Sequence, residues 1–355
     1  MRTPGILISA SVGGLVLLSG GLAGPATERT REERTVTRLT GDQGWRSMKL
    51  AAPADGRPML VDARRATFVV ANSRSPKPTP AADCRHGSRP VNPYPLRVTG
   101  GRNGMMLGGR FAGQVPQDSD WRASYCNSAA ILIEDTTGHM VKGVRIDGAW
   151  DAVRAGRGTN DLHLTGSWIS AVRDDAIEND HLGSLTISNS LVDGAFQLVS
   201  VKPAKGNDPA DAHDRLIDIS GAVLRIQDYP HREGRRFGAL AKSEARSPRL
   251  RLANSVVAVS SESDRTFPAY WSTGWAKLGQ SSNNLFLWLS DRPLPRDLAL
   301  PPTGFTVLRG EPARAAWKRA RSNWIDCHPD VPRLDGDERA RPEHCRRGTW
   351  GGYGR

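Results

Sequence analysis

The 355-residue sequence predicts an all-β protein whose chain winds into stacked coils, one coil per structural unit. Three observations predict it. A template of apolar, any, apolar, any and then a small turn residue recurs at Val144-Arg145-Ile146-Asp147-Gly148, Leu162-His163-Leu164-Thr165-Gly166 and Leu185-Thr186-Ile187-Ser188-Asn189. Alternation with period two marks a strand with one buried face, and the Gly or Asn that follows marks a turn. The steps from Val144 to Leu162 and from Leu162 to Leu185, about 18 and 23 residues, fall in the range of a one-coil repeat. A coil cannot bury its inward face alone, so stacking creates the core and the ends need covers.

The elements follow in order. Arg2, the apolar run Ile6 to Leu22 and the small-residue exit Ala23-Gly24-Pro25-Ala26 read as a signal peptide over residues 1–26, with an uncleaved anchor as the alternative. The mature chain is then expected to be secreted or periplasmic. No later stretch is apolar enough to span a bilayer, so stable membrane insertion is not expected. Residues 27–95 are polar and proline-rich, above all Ser73 to Pro80, with one strand region at Met59 to Val70, and are expected to form an N-terminal cap and linker. Strands are expected at Leu96 to Val98, Met105 to Leu107, Ala130 to Ile133, Val144 to Ile146, Leu162 to Leu164, Leu185 to Ile187, Ile217 to Ile219, Leu250 to Leu252 and Leu285 to Leu289, giving a coiled body over 96–290. The polar segments Lys202 to Asp214 and Tyr229 to Ser247 lengthen the later steps as projecting loops. Prolines from Pro293 to Pro302 are expected to end the stack, and Pro312 to Trp324 reads as a helix in a capping region over 291–355. Trp317 and Trp324, seven apart, share a helical face that either seals the open core or stacks on a glycan.

Four cysteines fit an oxidising compartment, and the expected pairs are Cys84 with Cys126 and Cys327 with Cys345. Cys327-His328 and His344-Cys345 also compose a four-ligand zinc set, the alternative to the second disulfide. The formal net charge of +12 suits an anionic partner such as an acidic polysaccharide, a membrane surface or nucleic acid. The arginines are scattered, however, and no nucleic-acid motif is present, so no nucleic-acid partner is expected. The protein is expected to be a monomer.

The coil spacing, the Asn189-Ser190 and Asn254-Ser255 turns and the Asp174-Asp175-Ala176-Ile177 segment resemble a right-handed, single-stranded parallel β-helix of the pectate-lyase-like superfamily. More narrowly, Ser119 to Ala130, Ala149 to Arg154 and Val172 to Asp180 resemble an uncharacterised group of exported bacterial β-helix proteins. The resemblance covers roughly Leu96 to Ser290, and the regions on either side are expected to supply an N-terminal cap and a partly helical C-terminal cap. Lyases, hydrolases, epimerases and non-catalytic adhesins all use this architecture, so it implies fold more than activity.

Chemistry concentrates in Arg173 to His181. Neighbouring coils of a parallel stack lie about 4.8 Å apart, so equivalent positions form columns. Aligning Trp150 to Arg154 with Asp174 to Glu178 and Val192 to Phe196 places Asp151, Asp175 and Asp193 in one column, with Arg154 above Glu178. Trp150 and Trp168 share a repeat position and are expected to form an aromatic column. Crowded carboxylates raise one another's pKa, leaving an acid beside a base, the division of labour that breaks a glycosidic bond. In this reading Asp174 or Asp175 is the general acid, Asp151 or Asp193 the base, and Arg154, Arg173 and His181 position substrate. Separations across two coils fit the wider spacing of inverting hydrolysis. The Asp-Asp-Ala-Ile segment also looks like the paired aspartates of polygalacturonase-type hydrolases, but Asn-Thr-Asp, Gly-His-Gly and Arg-Ile-Lys companions are missing. A lyase reading instead gives Asp151, Asp174, Asp175 and Asp193 to calcium, with Arg154 or Arg173 assisting proton abstraction. The remaining alternative makes these residues turn ladders, with aspartates accepting backbone bonds and arginines balancing them, in a carbohydrate-binding or surface-structure protein. Adjacent Asp174 and Asp175 point to opposite sides if extended.

Overall fold

The computed structural model describes residues 34–44, 47–71, 94–203, 211–231, 234–263 and 267–346. The expected signal peptide and Cys84 lie outside them. The described chain is an all-β, right-handed parallel β-helix with a helical C-terminal piece. Each coil contributes strands to three lateral faces.

Face A stacks Met48–Ala51, Leu96–Thr99, Ile131–Glu134, Val153–Ala155, the last residues of Trp168–Glu178 and of Leu191–Ser200, and Ala241–Lys242. Face B runs from Thr35–Asp42 and Met59–Val70 through Met105–Leu107, Met140–Lys142, Leu162–Thr165, Leu185–Ser188, Leu216–Ser220 and Arg249–Ala253 to Leu278–Ser282. Face C joins the second half of Met59–Val70 to Arg110–Gly113, Arg145–Asp147, the starts of Trp168–Glu178 and Leu191–Ser200, Val223–Ile226, Val256–Val259, Asn284–Trp288 and Phe305–Arg309. Inward aliphatic side chains such as Ile131, Val153, Ile177 and Val199 from face A, and Leu164, Ile187, Ile219 and Leu252 from face B, meet in one continuous core.

The corner between faces B and C explains the Asn-Ser pairs. Asn189 and Asn254 adopt φ of 46° and 50° there, a left-handed conformation that asparagine tolerates better than most residues. The serine that follows turns its hydroxyl back to the neighbouring coil. Ser190 Oγ accepts from the Ser167 N–H at 3.3 Å, and Ser255 Oγ accepts from the Ala222 N–H at 3.2 Å. Buried backbone donors at the corner are thereby satisfied.

Several expectations are corrected. The ladder begins at Thr35, not Leu96, because Thr35–Asp42, Met48–Ala51 and Met59–Val70 are full rungs rather than a cap and linker. It also continues past the prolines to Phe305–Arg309. Val144-Arg145-Ile146 and Leu162-His163-Leu164 are not equivalent: Arg145 pairs with Trp168 on face C, whereas His163 pairs with Met140 on face B. The step from Leu162 to Leu185 is a true coil repeat. Trp150 and Trp168 accordingly belong to different faces.

The helix Gly310–Cys327 lies against the outer side of face C. Ala313 and Ala316 allow close approach to Val256, Ala258, Leu285 and Leu287, and Trp324 and Ile325 cover Trp168, Leu191 and Val223. Trp317 and Trp324 therefore cover a lateral face rather than the open end of the core. The core-sealing role falls to Trp271 and Trp275 of the helix Pro268–Lys277, which follows the last face A rung and packs into the central core beside Phe286. Cys327 and Cys345 form a disulfide, which excludes the zinc alternative. Cys126 is also disulfide-bonded. Among the described residues no helix is long and apolar enough to cross a membrane.

Candidate functional site

Face A carries the acidic cluster, and the coil register builds it. Val153 pairs with Ile177 and Arg154 with Glu178, so Asp151 lies one coil from Asp175. Contacts follow the register: the Asp175 N–H donates to Asp151 Oδ1 at 3.1 Å. Arg154 Nη2 donates to Asp151 Oδ2 at 2.8 Å and also pairs with Glu178, while Nη1 donates to the Tyr94 hydroxyl at 2.8 Å. On the next coil Gln197 stands opposite Asp175, and its amide donates to Asp175 Oδ1 at 2.5 Å. Ser200 follows Glu178 in register and donates to Asp180 at 2.7 Å.

A bulge places Asp174. Between Val172 and Asp175 the chain has two residues, Arg173 and Asp174, where the facing strand has only Phe196. Such a two-against-one insertion breaks the alternation of the strand and re-aims side chains. Asp151 and Lys242 act electrostatically on both Asp174 and Asp175. Asp151 is 1 % exposed, Asp175 2 % and Asp174 8 %. Burial, reinforced by Asp151, pushes the Asp174 carboxyl up to about 7, against the opposing pull of Lys242, the Trp121 indole and Arg173. Burial likewise raises Asp175 and Glu178 well above the ordinary carboxylate range, although Lys242 and Arg154 respectively oppose it. Burial draws Arg154 down, but Glu178 and Asp151 outweigh it and hold the guanidinium firmly charged.

An aromatic layer covers the cluster. Asp120 caps the short helix Trp121–Ser124 by accepting the Arg122 N–H at 2.8 Å, and Trp121 stands 5.5 Å from Trp150, 4.6 Å from Tyr125 and 5.0 Å from His231 between ring centres. Arg173, fully buried, ties this layer down. Its Nη2 donates to the carbonyls of Ser119, at 2.8 Å, and Pro230, and its guanidinium carbon lies 5.5 Å from the Tyr229 ring centre. Arg173 is thus a clamp between cover and coil, and burial lowers its pKa. His181 sits half-buried in the turn beyond Glu178, and burial lowers its pKa too.

Asp193 does not join the column. Its register partner is Ser170 on face C, and Gln197 occupies the place next to Asp175 that the alignment assigned to it. Arg225 at 2.8 Å and Arg321 at 2.5 Å hold it instead. Burial pushes this carboxyl up, yet the two guanidinium groups outweigh it and leave Asp193 below the usual range. Asp151, Asp175 and Glu178 each offer an oxygen within 4.8 Å of the others. Such a triad has the size of a metal site, but its donor set does not suit calcium, which takes six to eight oxygens. Arg154 already bridges two of the carboxylates, the Asp175 N–H occupies Asp151 and the Gln197 amide donor occupies Asp175. Asp193, the fourth expected ligand, is on another face.

Sequence reasoning missed Lys242, Gln197, Tyr94 and Trp121. Lys242 pairs in register with Ser200, completing a face A column of Arg154, Glu178, Ser200 and Lys242. The long insertion between Ser200 and Ala241 hides that register, and only the aliphatic-then-polar ending shared by Val199-Ser200 and Ala241-Lys242 signals it. No protein-family model matches the chain and no curated protein matches its sequence, so the side chains themselves carry the functional reading.

Proposed function

We propose that this chain is an exported polysaccharide-acting protein of the pectate-lyase-like type that breaks a glycosidic bond at face A. The observation that supports it is Asp174: a carboxyl on a bulge, under an aromatic layer, with its pKa raised to about 7 beside neighbours held in fixed hydrogen bonds. A carboxyl that carries a proton near neutrality is equipped to donate it to a leaving-group oxygen. Asp174 is then the general acid. Asp151 and Asp175 are the carboxyl groups beside it, Arg154 ties Asp151 to Glu178, Arg173 holds the cover and His181 lines the edge.

The test is a screen of the purified protein against acidic and neutral polysaccharides, following new reducing ends and unsaturated products. Reducing ends without unsaturation identify hydrolysis, and unsaturated ends identify elimination. On the substrate found, Asp174→Asn should lower kcat by roughly a hundredfold or more, the usual worth of acid–base assistance, without lowering Tm. Retained activity in that variant would remove Asp174 from the mechanism.

One observation favours a second reading. Asp151 and Asp175 are almost wholly buried and their oxygens serve the ladder, as in a coil built to present a surface rather than to react. A protein that binds glycan and releases neither product class is the non-catalytic carbohydrate-binding or surface-structure protein.

A further inference from the structure

We infer that Lys242 is a positioning residue of the face A site: its ammonium supplies an unattached positive charge, shared by the whole carboxylate cluster, against which Asp174 exchanges its proton. The geometry comes from the register. Lys242 is the last member of the column that begins with Arg154 and passes through Glu178 and Ser200. Arg154, at the top, is committed: it holds Asp151, Glu178 and Tyr94 directly. Lys242, at the bottom, is the opposite case. Among the described residues no carboxylate oxygen lies within 4.0 Å of its ammonium, yet its strongest electrostatic neighbours are Asp175, Asp174, Asp180 and Glu178.

Burial draws the Lys242 ammonium down, and those four carboxylates outweigh it and keep it charged. The influence is mutual, since Lys242 opposes the upward push on both Asp174 and Asp175. The other charged or titratable groups facing Asp174 are Asp151 from the neighbouring coil, Arg173 and Asp175 from its own strand and Tyr125 from the cover. Arg154 is committed to Asp151 and Glu178, and Arg173 is anchored through Nη2 to backbone carbonyls while its Nε and Nη1 make no hydrogen bond. Lys242 is therefore the one cation facing Asp174, among the described residues, that no direct hydrogen bond or ion pair commits. A mobile ammonium without a fixed partner can follow charge as a proton leaves or returns, whereas a forked guanidinium locked into two carboxylates cannot.

The inference rests on the proposed function for its kinetic consequence, but its central test does not need a substrate. The Asp174 carboxyl carbon is followed by NMR across a pH titration in the full chain and in Lys242→Met and Lys242→Arg, with Asp174→Asn assigning the resonance. Loss of the lysine charge should raise the Asp174 midpoint by about one pH unit or more, the scale of a nearby opposite charge, and Lys242→Arg should keep it close to that of the parent. An unmoved midpoint in folded Lys242→Met overturns the inference. Should Lys242→Met fail to fold, Lys242→Gln serves in its place with the same two outcomes. Once the screen identifies a substrate, the limb of the kcat pH profile governed by Asp174 should shift with the NMR midpoint, with KM nearly unchanged. A screen without products sinks the polysaccharide reading and leaves the titration result standing; an unmoved titration with an active enzyme does the reverse.

Discussion

Faces A and C each set aspartates beside arginines, and the two arrangements have opposite chemistry. On face C the charges balance locally. Asp193 lies between Arg225 and Arg321, Asp337 receives Arg145 through two bonds of 2.7 Å, and both carboxyls are held below their ordinary range because these guanidinium groups outweigh burial. These pairs fasten the C-terminal helix and the segment after it to the coils. On face A the carboxyls outnumber their direct cationic partners, and Asp174, Asp175 and Glu178 are pushed up. The contrast teaches that pairing, more than residue type or burial, separates a clasp from a reactive site.

The largest effect that would break this comparison is on the clasp. Asp193→Ala leaves Arg225 and Arg321 facing each other without their shared anion, and is expected to cost about 3 kcal/mol in denaturant unfolding, the lower end of the range for removing one partner of a buried pair, because these side chains keep some exposure. A cost below about 1 kcal/mol would show that face C is not a clasp. Replacing Cys327 and Cys345 together by serine opens a loop with a sequence separation of 18, and chain-entropy reasoning assigns about 3 kcal/mol to such a loop. Hydrogen exchange should then rise first in Gly310–Cys327 and leave face A protected.

The pH dependence sharpens the comparison because the two faces carry opposite signs. Asp174 binds its proton more tightly folded than unfolded, so its contribution to stability is full below about 4 and is lost as pH rises through about 7. Asp193 is depressed, so its contribution is present above the ordinary carboxylate pKa and is lost as pH falls. Asp174→Asn should therefore gain about 1 kcal/mol or more at pH 8 and flatten the decline between about pH 4 and 7; Asp193→Asn should flatten only the acid limb. Urea unfolding at four pH values separates them, and identical profiles for the two variants would end the distinction.

The smallest effect lies at the corner that joins the faces. Ala171 has φ of 49° where the neighbouring coils place Gly148 and Gly194. An alanine there pays a left-handed penalty of about 1 kcal/mol, partly offset by the extra unfolded-state freedom of glycine. Ala171→Gly should leave stability unchanged or raise it by about 0.5 kcal/mol, read from the urea midpoint. A clear loss would mean that the methyl group packs the bulge in place.

The sequence by itself determined the coils, their turns and one correct pair of neighbours. Period-two alternation states which side chains face inward, Asn189-Ser190 and Asn254-Ser255 announce the corner, and the matching segments around Asp151 and Asp175 share a template close enough to align without a gap. Cys327 and Cys345 were legible because they stand close in sequence. Only the tertiary structure decided which face each segment occupies. Alternation repeats every two residues on all three faces, so it cannot distinguish Val144 to Ile146 on face C from Leu162 to Leu164 on face B. It cannot reveal the extra residue that breaks the register at Arg173 and Asp174, or that Asp193 belongs beside Arg321, 128 residues away. Lys242 was hidden for the same reason. Its place is fixed by the closure of a long insertion back onto the ladder, and closure depends on packing between coils, which no local pattern contains.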